Sequence, residues 1–134
     1  MDVTLPQVTP RPAQAALRDR GQRAHLSGLS AEARIERAYR DRGCVLLARR
    51  WRGGGGEIDL VFRRGDLLVF VEVKSSSSFE RAIESLHWTQ VARIQTAAEA
   101  FVGAHPDLAL MDMRVDLAAL DGMGRFRVIP NITM

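Results

Sequence analysis

The sequence predicts an α/β domain, a mixed β-sheet flanked by helices, and three observations predict it. Three short β-rich runs follow one another between residues 44 and 74, separated by glycine-bearing breaks. Segments of helical periodicity precede and follow that block. Two further β-rich runs close the chain, so the elements read α, β, β, β, α, β, β.

The first helix is expected over 30–42. Ser30 would be its N-cap, and Glu32 lies in the first turn, where the helix dipole favours an acid. Ile35, Ala38 and Tyr39 form its apolar stripe, and Gly43 ends it. Residues 44–50 (CVLLARR) read as a buried strand, and Gly53 to Gly56 as a flexible loop. Residues 57–62 (EIDLVF) and 67–74 (LLVFVEVK) read as two strands of a hairpin, turning at Arg64-Gly65-Asp66. The second of these is apolar almost throughout and is therefore expected at the centre of the sheet. Ser75 to Ser78 is a polar break. A helix over 88–103 presents Val91, Ile94, Ala98, Phe101 and Val102 on one face, with His87 at its start. Strands over 109–117 and 125–129, turning at Asp121-Gly122, complete the sheet. Residues 1–27 hold Pro6, Pro10 and Pro12 with little apolar periodicity and read as a flexible tail, leaving 28–134 as the domain. Arg18, Arg20 and Arg23 in that tail are either solvated or in contact with phosphates.

The 134 residues suit one domain, and a hydrophobic fraction of 46% suffices for a core. A net charge of +3 is compatible with a nucleic-acid partner without requiring one. Cys44 is the single cysteine, which excludes an internal disulfide and a cysteine zinc cluster; its apolar run makes it a core residue rather than a nucleophile. No run approaches the roughly 18 apolar residues of a membrane span, and no apolar signal-peptide stretch opens the chain. A cytoplasmic protein with no membrane partner is the expectation. The glycine run lacks the Gly-Lys-Ser/Thr of a phosphate-binding loop, and His25, His87 and His105 lack metal-ligand spacing. Lys74 is the sole lysine of the chain.

Chemistry concentrates in the 57–74 hairpin. Side chains on a strand alternate with period two, so Glu57 shares a face with Asp59, and Glu72 with Lys74. Ile58, Leu60, Val71 and Val73 would then enter the core on the opposite face. If the strands pair, three acids and one amine converge on one face, and the acids repel one another unless a cation offsets them. A hard divalent ion suits carboxylate oxygens and can activate water for attack on phosphorus. Plain edge-strand alternation with solvated charges is the other reading. Trp51 and Arg52, beside the glycine run, either stack on and clamp nucleic acid or pack on their own domain.

Gly28-Leu29-Ser30-Ala31-Glu32, Gly56-Glu57-Ile58-Asp59-Leu60 and Val69-Phe70-Val71-Glu72-Val73-Lys74, in that order and spacing, resemble the bacterial YraN-like family. That family is similar to archaeal Holliday junction resolvases within the PD-(D/E)xK nuclease superfamily. The match continues through Arg93-Ile94, Ala97-Ala98, Arg114-Val115-Asp116 and Pro130-Asn131, covering about 28–132. The resemblance implies a restriction-endonuclease-like αβββαβ core with the site at the sheet's edge. It implies an Mg²⁺- or Mn²⁺-dependent endonuclease that hydrolyses DNA phosphodiesters, branched or structured DNA included. Carried over, Asp59 and Glu72 are the metal ligands, helped by the Val73 carbonyl, and Lys74 is the catalytic amine. Glu32 completes the acidic cluster, unless it is only a dipole partner, and Glu57 is a further acid. Gln90 and Arg93 join Trp51 and Arg52 as candidates for binding nucleic acid. Two departures stand out: Ser75 to Ser78 replaces a basic residue usual after the lysine, and Gln90 stands where a lysine is frequent. They bear on substrate grip, and a nucleic-acid-binding module that no longer cuts is the alternative. A branched substrate needs two cuts, which a homodimer would supply.

Overall fold

The run after Asp66 is apolar because it is covered on both sides. In the computed structural model, which describes residues 28–133, helix α1 spans 28–41. Strands β1 (Val45–Gly53), β2 (Gly56–Arg64) and β3 (Leu67–Ser75) follow, then helices α2 (Phe79–Glu84) and α3 (Trp88–Ala104), a 3₁₀ turn (Pro106–Leu108), and strands β4 (Asp112–Leu120) and β5 (Phe126–Ile129). The sheet order is β1-β2-β3-β4-β5, which puts β3 in the middle. Every pairing is antiparallel except β3 with β4, the pair joined through α2 and α3. This is the expected αβββαβ core, extended by a fifth strand.

Alternation along β3 divides the interior into two cores. Val69 and Val71 meet Ile35 and Tyr39 of α1, with Leu60 and Phe62 from β2. Leu68 and Phe70 face the other way, onto Ile94, Ala98 and Phe101 of α3. Both helices thus bury an apolar stripe against opposite faces of one sheet. Cys44 is buried in the α1-side core.

The helix end is as expected. Gly43 (φ +86) closes α1, with the Cys44 amide donating to the Tyr39 carbonyl at 3.1 Å and the Gly43 amide to that of Arg40 at 3.0 Å. Four expectations need correction. Ser30 lies inside α1, which is already helical at 28, and so is not its N-cap. The run expected as a buried strand over 44–50 is instead the edge strand β1, which starts at Val45. A register irregularity between Leu46 and Ala48, with no outer neighbour among the described residues, leaves Val45 and Leu47 exposed. The glycine run is a two-residue hairpin turn, not a flexible loop: Gly54 and Gly55 both take positive φ (61° and 82°), as the tightest hairpins require. Finally, the serine break leads into a helix, α2, whose N-cap is Ser78, with Oγ accepting from the Arg81 amide at 3.2 Å. At six residues that helix is too short to show a period.

The last two strands are shifted from their expected spans. Strand β4 begins at Asp112 because the 3₁₀ turn and the residues after it occupy the stretch before. The turn at Asp121 is held by its own carboxylate, which accepts from the amides of Met123 and Arg125 at 2.9 Å each. Among the described residues no helix is long and apolar enough to cross a membrane. The expected tail, with Arg18, Arg20, Arg23 and His25, lies outside the described residues.

Candidate functional site

Strands β2 and β3 pair in unbroken register from Arg64↔Leu67 to Leu60↔Val71, and there the ladder stops. One residue further along β2, the Asp59 side chain takes over. Its Oδ2 accepts the Val73 amide at 2.8 Å, occupying the place a backbone carbonyl would have held. The strand changes face at this point. Leu60, Val71 and Val73 enter the α1-side core as expected, but Ile58 packs into the α3-side core, so strict alternation fails between 58 and 60. The Asp59 bond is the physical reason: it replaces a regular ladder step at the parting of the strands.

The parting opens a cleft at the end of the sheet. On the α3 side a cavity of about 540 Å³ is lined by Asp59, Glu72, Glu57, Gln90 and Arg93. On the α1 side a cavity of about 550 Å³ shares Asp59, Glu72 and Glu57 and adds Glu32, Arg50 and Val73. The Asp59 and Glu72 carboxylates sit where the two cavities meet.

Glu72 is the electrostatic centre. Its side chain is 13% exposed, and Lys74 Nζ lies 3.9 Å from its Oε1. Burial, the neighbouring Asp59 charge and a hydrogen bond with Asp59 push the Glu72 carboxyl up to about 9, against the opposing pull of Lys74. At neutral pH the Glu72 carboxyl therefore holds its proton. The oxygen-only donors suit Mg²⁺ or Mn²⁺ better than a softer metal.

The other two acids expected in the cluster line the same α1-side cavity and are engaged in ion pairs. Glu57 is turned toward Arg52, 3.7 Å away, and Glu32 is held by Arg50 at 2.6 Å. Among the described residues no three His, Cys, Asp or Glu side chains gather closely enough to hold an ion among themselves. At Val73 it is the amide that meets Asp59.

The candidate nucleic-acid contacts separate. Arg52, Gln90 and Arg93 line the α3-side cavity. Gln90 Oε1 accepts the His87 amide at 3.3 Å, capping α3, which leaves its amide NH₂ as a donor. Trp51 packs on its own domain: its ring lies edge-on to Phe101 (centroids 5.3 Å apart, planes at 80°) and against the α3-side core. It also covers Gly53, where a Cβ would come within 2.3 Å of the indole. Sequence reasoning missed Arg50. Its contribution depends on a left-handed backbone (φ +49) that no propensity signals for arginine.

The matches to other proteins follow the segments that build this site. Residues 31–129, from α1 through β5, match the model of the family described as Uncharacterised protein family UPF0102. A UPF0102 protein of Dinoroseobacter shibae is 64% identical over 123 residues, covering 92% of each chain. Another, from Ruegeria pomeroyi, is 50% identical over 87% of this chain and 94% of its own length. A third, from Azorhizobium caulinodans, is 47% identical over 83% of this chain and 85% of its own length. With the family model matched over most of the chain and relatives of this identity matched nearly end to end, the chain belongs to the UPF0102 family, the YraN-like family of bacteria.

Proposed function

We propose that this protein is a divalent-metal-dependent endonuclease that hydrolyses DNA phosphodiesters, with its reaction centre at the parting of β2 and β3. The carrying observation is that the partly buried Asp59 and Glu72 carboxylates sit together where the two cavities meet, with Lys74 Nζ 3.9 Å from Glu72, and burial beside Asp59 raises the Glu72 pKa. Asp59, Glu72 and the Val73 carbonyl would hold Mg²⁺ or Mn²⁺. Bound there, the ion would supply Lewis-acid stabilisation of the charge that builds on the phosphate oxygens.

The chain's own groups do the rest. Lys74 Nζ, beside Glu72, orients the attacking water by hydrogen bonding and offsets negative charge as the phosphorus is attacked. Arg52 and Arg93 at the cleft wall bind backbone phosphates, and the Gln90 NH₂ donates to a phosphate oxygen. The opening to both sides of the sheet end favours a strand passing through the cleft, with branched DNA as the structured substrate and a homodimer as the means of cutting it twice.

Asp59 also satisfies the Val73 amide, so alanine at 59 would damage the strand as well as the chemistry. Asp59→Asn, Glu72→Gln and Lys74→Ala are therefore the informative variants. Each is expected to lower Mn²⁺-dependent cleavage of branched, linear or single-stranded DNA about 100-fold or more while retaining the fold by circular dichroism. Wild-type cleavage rates in all three would refute the reading. Salt-sensitive binding with no cleavage by the wild type would favour the binding-module alternative, which Gln90 and Ser75 to Ser78 favour by bringing no charge where the resemblance calls for a base.

A further inference from the structure

We propose that Arg50 is a positioning residue that holds Glu32 away from the Asp59–Glu72 pair in the free protein and releases it when a substrate phosphate takes the guanidinium. The inference rests on the cation site proposed above. Among the described residues only Arg50 and Asn131 combine a side chain with positive φ. A long unbranched side chain rarely adopts that conformation, so its surroundings must fix it.

The contact its side chain makes is an ion pair. Arg50 Nη2 donates to Glu32 Oε2 at 2.6 Å, and Nε reaches the two carboxylate oxygens at 3.3 and 3.2 Å. The pair joins β1 to the first described turns of α1 in the lining of the α1-side cavity. Glu57, Asp59 and Glu72 line that same cavity, and after Glu32 the charges of Glu57 and Asp59 also raise the pKa of this guanidinium.

Exposure sets the order of events. The Arg50 side chain is 42% exposed and that of Glu32 only 14%. An incoming phosphate meets the guanidinium first, and it offers the same two-oxygen geometry as the carboxylate it replaces. The freed Glu32 already lines the cavity that holds Asp59 and Glu72, and it adds a third hard oxygen donor there. Substrate binding and completion of the acidic set thereby become one event. In the free protein the guanidinium balances the charge of Glu32.

The test is a thermodynamic cycle in Mn²⁺ affinity, measured by calorimetry on the full chain at pH 8. Arg50→Asn removes the guanidinium yet keeps a residue that tolerates positive φ. It is expected to bind Mn²⁺ about 10-fold tighter than wild type, the scale on which outer partners tune metal ligands. The gain should vanish in Arg50→Asn/Glu32→Gln, which should bind no tighter than Glu32→Gln alone. A gain that persists in the double variant would mean only that a repelling positive charge was removed, and would overturn the proposal. So would an Arg50→Asn affinity indistinguishable from wild type, provided wild-type binding is lost in Asp59→Asn; the cation site would then stand and the latch alone would fail. If neither wild type nor Arg50→Asn binds Mn²⁺, the cation site fails and the latch with it.

Discussion

Glu72 carries the heaviest electrostatic burden of any residue in the cleft. Its carboxyl is raised from 4.5 to about 9, first by burial and then by Asp59. A carboxyl raised on folding contributes stability that is full below its unfolded pKa and is lost as pH climbs through its folded pKa. In metal-free protein, stability should therefore fall between about pH 5 and pH 9. Glu72→Gln keeps the shape and removes the titration. Thermal melts in chelator should show the variant little different from wild type at pH 5 and above it by about 4 °C or more at pH 8. Equal pH profiles for the two proteins would show that Glu72 is not the group concerned. At this scale the sequence was partly legible. The E-x-D and E-x-K triplets could be read because strand alternation is simple. The Asp59 bond to the Val73 amide could not, since it appears only where two strands part. Nor could the ion pair of Arg50 with Glu32, whose partners lie 18 residues apart in the chain.

At the scale of elements, the β1–β2 hairpin is what brings the cleft wall against α3. Gly56 lies so close to that helix that a Cβ would sit 2.6 Å from the Arg93 carbonyl oxygen, a backbone atom that cannot swing aside. Gly56→Ala is expected to destabilise the fold by about 1–3 kcal/mol, as overpacking does, measured by urea unfolding. Gly55, whose Cβ would meet nothing within 4 Å, should accept asparagine at its positive φ with a much smaller loss. Equal losses at both positions would mean that the close approach to α3 is not what requires glycine. The strands around this hairpin were visible in sequence because β3 is covered on two faces and reads as continuous apolar residues. The edge position of β1 was hidden, because an apolar run looks the same at the rim as at the centre. Helix α2 was hidden by its length, and its capping serine resembled a loop.

Across the whole molecule the sheet divides two cores, and a second polar network lies within the fold beside the strand that carries Glu72. Asp116 of β4, in register with Val71 of β3, is fully buried. It accepts from Tyr39 Oη at 2.7 Å, from Arg114 Nε at 2.8 Å and from the Asn131 amide at 3.1 Å. This network ties α1, β4 and the segment after β5 together, and burial beside Asp116 drives the Tyr39 phenol far above its ordinary pKa. Tyr39→Phe should lower stability by about 1–3 kcal/mol, because a buried charge loses a donor, while Mn²⁺ affinity stays at the wild-type value. A change in metal affinity there would mean that this network and the cleft are coupled. The fold class followed from element order alone, whereas this network did not. Tyr39 and Asp116 lie 77 residues apart, and no local pattern announces their bond.

Anomalous diffraction from crystals soaked in Mn²⁺ near pH 8 tests whether the carboxylates of Asp59 and Glu72 serve as one cation site. The expected result is a single strong peak in contact with both carboxylates, absent from Asp59→Asn crystals grown in the same form. Manganese bound elsewhere on the protein, or a cleft that stays free of it while Glu72 keeps its proton, would contradict it.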